Sequence, residues 1–137
     1  METNCKRIND PLETFVKEMK AQGVWDGVVI QTVSDFARTL VFNGKGTDHS
    51  WGGNMFTFGG KVKGKQMHGQ FPSLDLNHPN IVDVRRGSVI PSTPWEGLWS
   101  PIAQWFGVEE ARLPEMMPNL PNFPASTIPA TDDFFKP

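Results

Sequence analysis

Two aspartates and a histidine lie in a polar loop that follows an apolar run of the sequence. Asp35 comes just after the apolar run, and Asp48 and His49 lie in the glycine-flanked part of the loop. Two carboxylates and an imidazole form a donor set that suits a divalent metal such as Zn²⁺, Mn²⁺ or Mg²⁺. The same spacing allows a second interpretation, in which both acids cap turns and His49 is exposed to solvent.

The element that must position this loop is the apolar run of residues 28–33. Apolar, mostly β-branched residues at nearly every position are typical of a strand buried on both faces of a parallel sheet. Residues 34–53 then change to Gly, Asn, Asp, Thr and Ser, and so long a loop is uncommon unless it is functional. Loops at the carboxyl ends of parallel strands are where α/β proteins bind ligands. The sequence therefore predicts the ligand-facing end of an open α/β sheet.

Helix signals flank the predicted sheet. Asp10, Pro11 and Glu13 supply an N-cap acid, a first-turn proline and a capping-box glutamate, which predict a helix over residues 11–22. A similar capping pattern at residues 93–96 precedes a second apolar helical face that ends at Gly107, and Pro101 is expected to kink or restart that helix. Between the helices we expect a short strand at residues 54–58, an exposed lysine-rich hairpin at 61–71, and a further short strand around 85–87.

Composition limits the classes of protein that remain. The 137 residues and 38% hydrophobic content fill one core. The net charge of −2 and the absence of a basic run give no reason to expect a nucleic-acid or anionic membrane partner. Cys5 is the only cysteine, which excludes an internal disulfide and a cysteine-based zinc cluster. No apolar run reaches the roughly 18 residues of a membrane-spanning helix, so the chain is expected to be soluble.

The two ends of the chain differ in composition from the middle. Residues 1–10 are polar and predict a flexible N-terminus. Prolines concentrate in residues 114–137, which predicts an extended proline-rich tail that does not build a core of its own. The sequence therefore predicts that residues 11–113 form the folded portion.

A family resemblance covers most of this folded portion. Residues 29–53 read VIQTVSDFARTLVFNGKGTDHSWGG, which resembles the segment SEFGRT-x-NGxGTDHGWGG that follows a strand in a large, mainly bacterial family, domain of unknown function fifteen-oh-one. Agreement continues in the same order at residues 59–64, 86–93, 105–108 and 118–120. The resemblance runs from about residue 11 to residue 123.

That family is placed in the alkaline-phosphatase-like superfamily, whose phosphatases, sulfatases and phosphate mutases use two metal ions and an activated Ser or Thr nucleophile. The resemblance implies a partial alkaline-phosphatase-like open sheet with flanking helices, a glycine-rich loop and a hairpin over residues 11–113. Residues 34–37 and 46–49 are similar to the superfamily's (S/A)-D-H-G and G-T-D-H motifs, which implies Asp35, Asp48 and His49 as metal ligands. Phe36 departs from the pattern, because it stands where the first motif has a ligating His.

Arg38 matches the Arg of the SEFGRT pattern and follows Asp35 by one helical turn. It is expected either to bind a phosphate or sulfate or to form a salt bridge with Asp48. Superfamily members carry the nucleophile and the first metal-binding acids on earlier strands, and no segment of this sequence matches those strands. No catalytic residue is therefore assigned.

Two functions are consistent with these observations. The first is a carboxy-terminal fragment of a metal-dependent phosphatase- or sulfatase-like hydrolase, which needs a missing amino-terminal half for activity. The second is a non-catalytic binding or structural subunit of a larger assembly, with the proline-rich tail as its docking arm. Both predict another protein chain or a second copy that completes the sheet. Family members are often exported, but no export signal is recognisable here, and the compartment stays unassigned.

Overall fold

The computed structural model describes residues 2–83 and 86–137. It begins with helix α1, Glu2–Ala21, which contains Pro11. The predicted helix at 11–22 is therefore present, but helical structure starts well before Pro11, where the sequence predicts a flexible N-terminus. A proline removes only one backbone hydrogen bond, and an ion pair of 3.5 Å between Lys6 and Asp10 bridges one turn just before it. Gly23, at φ 71°, follows the end of the helix as predicted.

The strands form three separate two-stranded antiparallel sheets in the described part of the chain. Strand β1, Val29–Gln31, pairs with β4, Thr57–Gly59, so that Val29 lies opposite Gly59. Strand β2, Ala37–Arg38, pairs with β3, His49–Ser50. The mixture of helices and strands is consistent with an α/β class. The prediction of a parallel strand buried on both faces is wrong for β1, which is antiparallel and only half-buried.

The third sheet lies beside the polar loop. Strand β5, Ile81–Asp83, pairs with β6, Ser88–Val89. The short strand predicted around residues 85–87 falls partly outside the described residues, since residues 84 and 85 are not described. In the region predicted as a lysine-rich hairpin, the structure instead pairs Val62 with Phe135 near the end of the chain.

Helix α2, Trp95–Trp105, contributes buried and half-buried apolar side chains to the core. Pro101 lies inside it, and the helix continues without the restart that was one of the two predicted outcomes. The helix is followed by Gly107 at φ 92°, as predicted. Among the described residues, one core cluster contains four buried side chains, Val62, Ile102, Phe134 and Phe135, with Val29, Leu98, Trp99 and Trp105 packed around them. Four further apolar residues are buried: Ile81, Val89, Ala103 and Leu113.

The proline-rich segment is folded back onto this core. After α3, Leu113–Met116, it forms short 3-10 turns at Leu120–Asn122 and Ala125–Thr127 and ends in α4, Thr131–Phe134. The amide of Lys63 donates to the carbonyl of Phe134 at 2.7 Å, and the amide of Lys136 donates to Lys61 at 2.8 Å. Where the sequence predicts an extended tail, the last residues thus contribute to the core.

None of the helices in residues 2–83 and 86–137 is both long enough and apolar enough to cross a bilayer.

Candidate functional site

The polar loop is closed by the short β2–β3 hairpin. In its register Arg38 lies opposite His49, so residues eleven positions apart in sequence become cross-strand neighbours. Thr39, only 4% exposed, extends the pairing. Its amide donates to the carbonyl of Asp48 at 3.0 Å, and its hydroxyl accepts from the amide of Asp48 at 3.0 Å. The hairpin therefore fixes the backbone of Asp48 and His49.

A tight turn at residues 43–46 forms the tip of the loop. The amide of Asn43 donates to the carbonyl of Gly46 at 2.9 Å, and the side-chain oxygen of Asn43 accepts from the amide of Lys45 at 3.0 Å. Gly44 adopts φ 94°, a conformation that glycine reaches without steric cost. The side-chain nitrogen of Asn43 also donates to Oδ1 of Asp48 at 2.8 Å, which ties the turn to the hairpin.

The carboxylate of Asp48 is engaged on both oxygens. Asn43 binds Oδ1, and Arg86 forms a salt bridge to Oδ2. The Asp48 side chain is 33% exposed and that of Arg86 is 61% exposed, so the ion pair lies at the surface. One of the two roles predicted for Arg38 was a salt bridge to Asp48. Arg86 makes that salt bridge instead, and Arg38 donates to the carbonyl of Thr47 at 2.8 Å.

His49 and Arg38 both contact the ring of Phe36. The imidazole of His49 stacks on Phe36 with 3.9 Å between centroids and an interplanar angle of 11°. The guanidinium carbon of Arg38 lies 5.0 Å from the same centroid, within cation–π range. Phe36 thus contacts both Arg38 and His49, two of the predicted site residues.

Asp35 lies next to this stack in the sequence and is exposed. The turn around it is held by Ser34, whose hydroxyl donates to the carbonyl of Phe36 at 2.7 Å. The turn is therefore explained without capping by the side chain of Asp35. Among the described residues, no group of three or more His, Cys, Asp and Glu side chains is arranged to hold a metal ion. The predicted ligands Asp35, Asp48 and His49 stay a prediction.

Arg86 is a site residue that the sequence analysis did not single out. The amide of Val41 donates to its carbonyl at 3.0 Å, and the amide of Leu40 donates to the carbonyl of Gly87 at 3.1 Å. Gly87 has φ 71°, and a Cβ built on it would lie 2.8 Å from the Cβ of Leu40. Glycine is required for this close approach. The resemblance over residues 86–93 was the signal that this segment matters, but it did not indicate the contact with Asp48.

An open cavity of about 610 Å³ lies between the turn and Arg86. Its walls are formed by Val41, Phe42, Asn43, Lys45, Asp48 and Arg86. Of the predicted site residues, only Asp48 lines this depression.

One histidine outside the loop is also placed against an aromatic ring. His68 stacks on the core residue Phe134 with 4.0 Å between centroids. Burial lowers the pKa of His68 from its usual value, and the carboxylate of Asp133 acts in the opposite direction.

Comparison with known proteins identifies a family. The profile of the family described as "Protein of unknown function (DUF1501)" matches residues 1–85, more than half of the chain, and the chain belongs to that family. The match contains β1 to β4 and the whole polar loop with its hairpin. Neither a curated protein nor a solved structure matches the chain.

Proposed function

We propose that the chain is the carboxy-terminal portion of an alkaline-phosphatase-like metallohydrolase that acts on phosphate or sulfate esters. In this proposal Asp35 and His49 each supply one ligand to a divalent metal, and Asp48 supplies a third when its present partners are displaced. The remaining ligands and the nucleophile come from an amino-terminal portion, either on another chain or in a longer gene product.

The arrangement around Phe36 is the observation that carries the proposal. Stacking on Phe36 places the imidazole of His49 against the residue next to Asp35, and both potential ligands are exposed. Asp35 adjoins Phe36 in the chain, with about 3.8 Å between consecutive Cα atoms, and the proposal is that a metal with further ligands draws both side chains together. Membership of the family and the similarity of residues 34–37 and 46–49 to two metal-binding motifs support the same assignment.

The need for further chain is supported by the sheets. Each described sheet has only two strands, and the β1–β4 pair has outer edges at which another strand can be added. Large apolar side chains beside the β1–β4 pair are exposed, with Val33 at 61% and Phe56 at 69%. A larger sheet would cover these side chains.

A hydrolysis assay tests this proposal. The chain is combined with the amino-terminal portion of a family member, and hydrolysis of p-nitrophenyl phosphate and p-nitrophenyl sulfate is measured with Zn²⁺, Mn²⁺ or Mg²⁺. Activity is expected only in the combined sample, and Asp35→Ala and His49→Ala should abolish it. His78→Ala, which removes a half-buried loop histidine outside the proposed ligand set, serves as the matched control and should leave the rate unchanged. Activity that survives His49→Ala would reject the proposed ligand set.

A second candidate function is a non-catalytic binding subunit. It is favoured by the engagement of both carboxylate oxygens of Asp48, by Asn43 and Arg86, which leaves that group satisfied without a metal. The docking arm assigned to the proline-rich tail would then be limited to residues before α4, because Phe134 and Phe135 are buried in the chain's own core. This function predicts a stable complex with no bound metal, and an assembly state, measured by light scattering, that His49→Ala does not change.

A further inference from the structure

The cavity beside the polar loop contains two cationic side chains and one anionic side chain. Lys45 and Arg86 contribute positive charge, and Asp48 contributes the negative charge. Because Asp48 is already bound by Arg86 and Asn43, its charge is largely neutralised within the wall of the cavity. The surplus positive charge faces a space of about 610 Å³, which is within the range of small-molecule sites.

Arg86 is held in one orientation for a ligand. Its Nη1 binds Asp48, and its backbone carbonyl accepts from the amide of Val41. A guanidinium has five N–H donors in a planar fork, so one contact to Asp48 leaves donors for a second acceptor. An arginine fixed by a carboxylate loses less side-chain entropy when it binds an oxyanion. The contact with Asp48 therefore prepares Arg86 for a ligand.

Phe42 adds an apolar surface to the same cavity. It is 67% exposed, although a phenylalanine is usually buried in a core. It lies in the wall with Lys45 and Arg86, so a flat apolar group and an anionic group can be accommodated side by side. The turn at residues 43–46 fixes the backbone between Phe42 and Lys45 through its two hydrogen bonds.

From this arrangement we infer that the cavity is a binding site for an organic oxyanion with a flat apolar part. Arg86 and Lys45 bind the phosphonate, sulfonate or similar group, and the flat part lies against Phe42. This site is distinct from the anion-binding role predicted for Arg38, whose guanidinium donates to Thr47 and lies over Phe36. It requires no metal and no hydrolysis, but it uses the Asp48–Arg86 salt bridge, which the metal-ligand role proposed for Asp48 would break.

Titration with phenylphosphonate tests the inference, because its carbon–phosphorus bond resists hydrolysis. Binding is followed by the amide NMR signals of the ¹⁵N-labelled chain, at fixed ionic strength and with EDTA present to remove metals. We expect saturable shifts that are concentrated at residues 41–48 and 86–87. Benzenesulfonate distinguishes a sulfonate from a phosphonate ligand, and inorganic phosphate, which lacks the ring, should bind more weakly than phenylphosphonate.

Variants separate a specific site from general charge attraction. Lys45→Gln and Arg86→Lys should each weaken phenylphosphonate binding about tenfold, the effect of losing one charge-assisted hydrogen bond. Lys65→Gln removes the same charge from an exposed position outside the cavity and should leave the affinity unchanged. Phe42→Ala should weaken phenylphosphonate but not inorganic phosphate.

Three results would overturn the inference. They are shifts that do not saturate, equal losses of affinity for Lys45→Gln and Lys65→Gln, and equal affinity for inorganic phosphate and phenylphosphonate. Circular dichroism of each variant verifies that the fold is retained, and Lys45→Gln keeps the test decisive if Arg86→Lys disturbs the salt bridge to Asp48.

Discussion

Two phenylalanines contact the same tryptophan from environments of very different burial. Phe135 stacks on Trp105 with 5.0 Å between centroids and is 3% exposed. Phe106 meets Trp105 edge-on at 4.9 Å and is 68% exposed. Replacement of each by alanine removes the same atoms and a contact with Trp105, and Phe135 also loses a contact with Phe134 at 6.2 Å, so the difference between the two variants measures mainly burial.

The expected magnitudes follow from that difference. Phe135→Ala removes a fully buried ring and should lower the free energy of unfolding by about 3–5 kcal/mol. Phe106→Ala loses only an exposed edge contact and should cost no more than about 1 kcal/mol. With a denaturant slope of about 1.5 kcal/mol/M, the urea midpoint should fall by about 2–3 M for Phe135→Ala.

Urea unfolding followed by tryptophan fluorescence measures both variants. The structure assigns the last residues of the chain to the core, where Phe135 pairs with Val62. Equal, small effects for the two variants would show that the end of the chain does not dock in solution and would refute this account of the core.

Two further predictions concern single residues outside the cavity. The unfolded chain binds a proton at His68 more readily than the folded chain, because burial lowers the folded-state pKa against the opposing effect of Asp133. The contribution of His68 to stability is thus complete above about pH 6.5 and is lost as the pH falls below that value. The urea midpoints measured above and below about pH 6.5 should therefore differ less in His68→Gln than in the wild type. Gly87→Ala, with φ 71° and a Cβ 2.8 Å from Leu40, should destabilise the chain by more than about 1 kcal/mol, whereas Gly64→Ala, which meets nothing within 4 Å, should change the urea midpoint little.

Local signals predicted the local structure well. The capping residues around Pro11 predicted a helix over 11–22, and Gly23 and Gly107 marked the ends of two helices, because caps act within one turn. The start of α1 was not predicted. Pro11 was expected to mark the first turn, but the helix begins earlier and tolerates this proline. The uninterrupted helix through Pro101 has the same explanation.

Pairings between distant residues could not be predicted from local patterns. The apolar run of β1 does not specify its partner, and the register that places Val29 opposite Gly59 depends on a contact across the fold. Arg86 binds Asp48 from 38 positions away in the sequence. Phe135 lies in a proline-rich segment whose composition indicated an extended tail, and only packing against Trp105 reveals it as core. The loop was located from the sequence, but the residues that contact it were not, and the metal-ligand roles of Asp35, Asp48 and His49 stay a prediction.

The proposed metal site is tested most directly by the metal content of the chain combined with the amino-terminal portion of a family member. Elemental mass spectrometry after gel filtration gives the ratio of metal to protein for the wild type, His49→Ala and His78→Ala. We predict stoichiometric zinc or manganese in the wild type and in His78→Ala, and its loss in His49→Ala. A complex that forms without metal, or that keeps its metal when His49 is replaced, would contradict the proposal that His49 is a ligand.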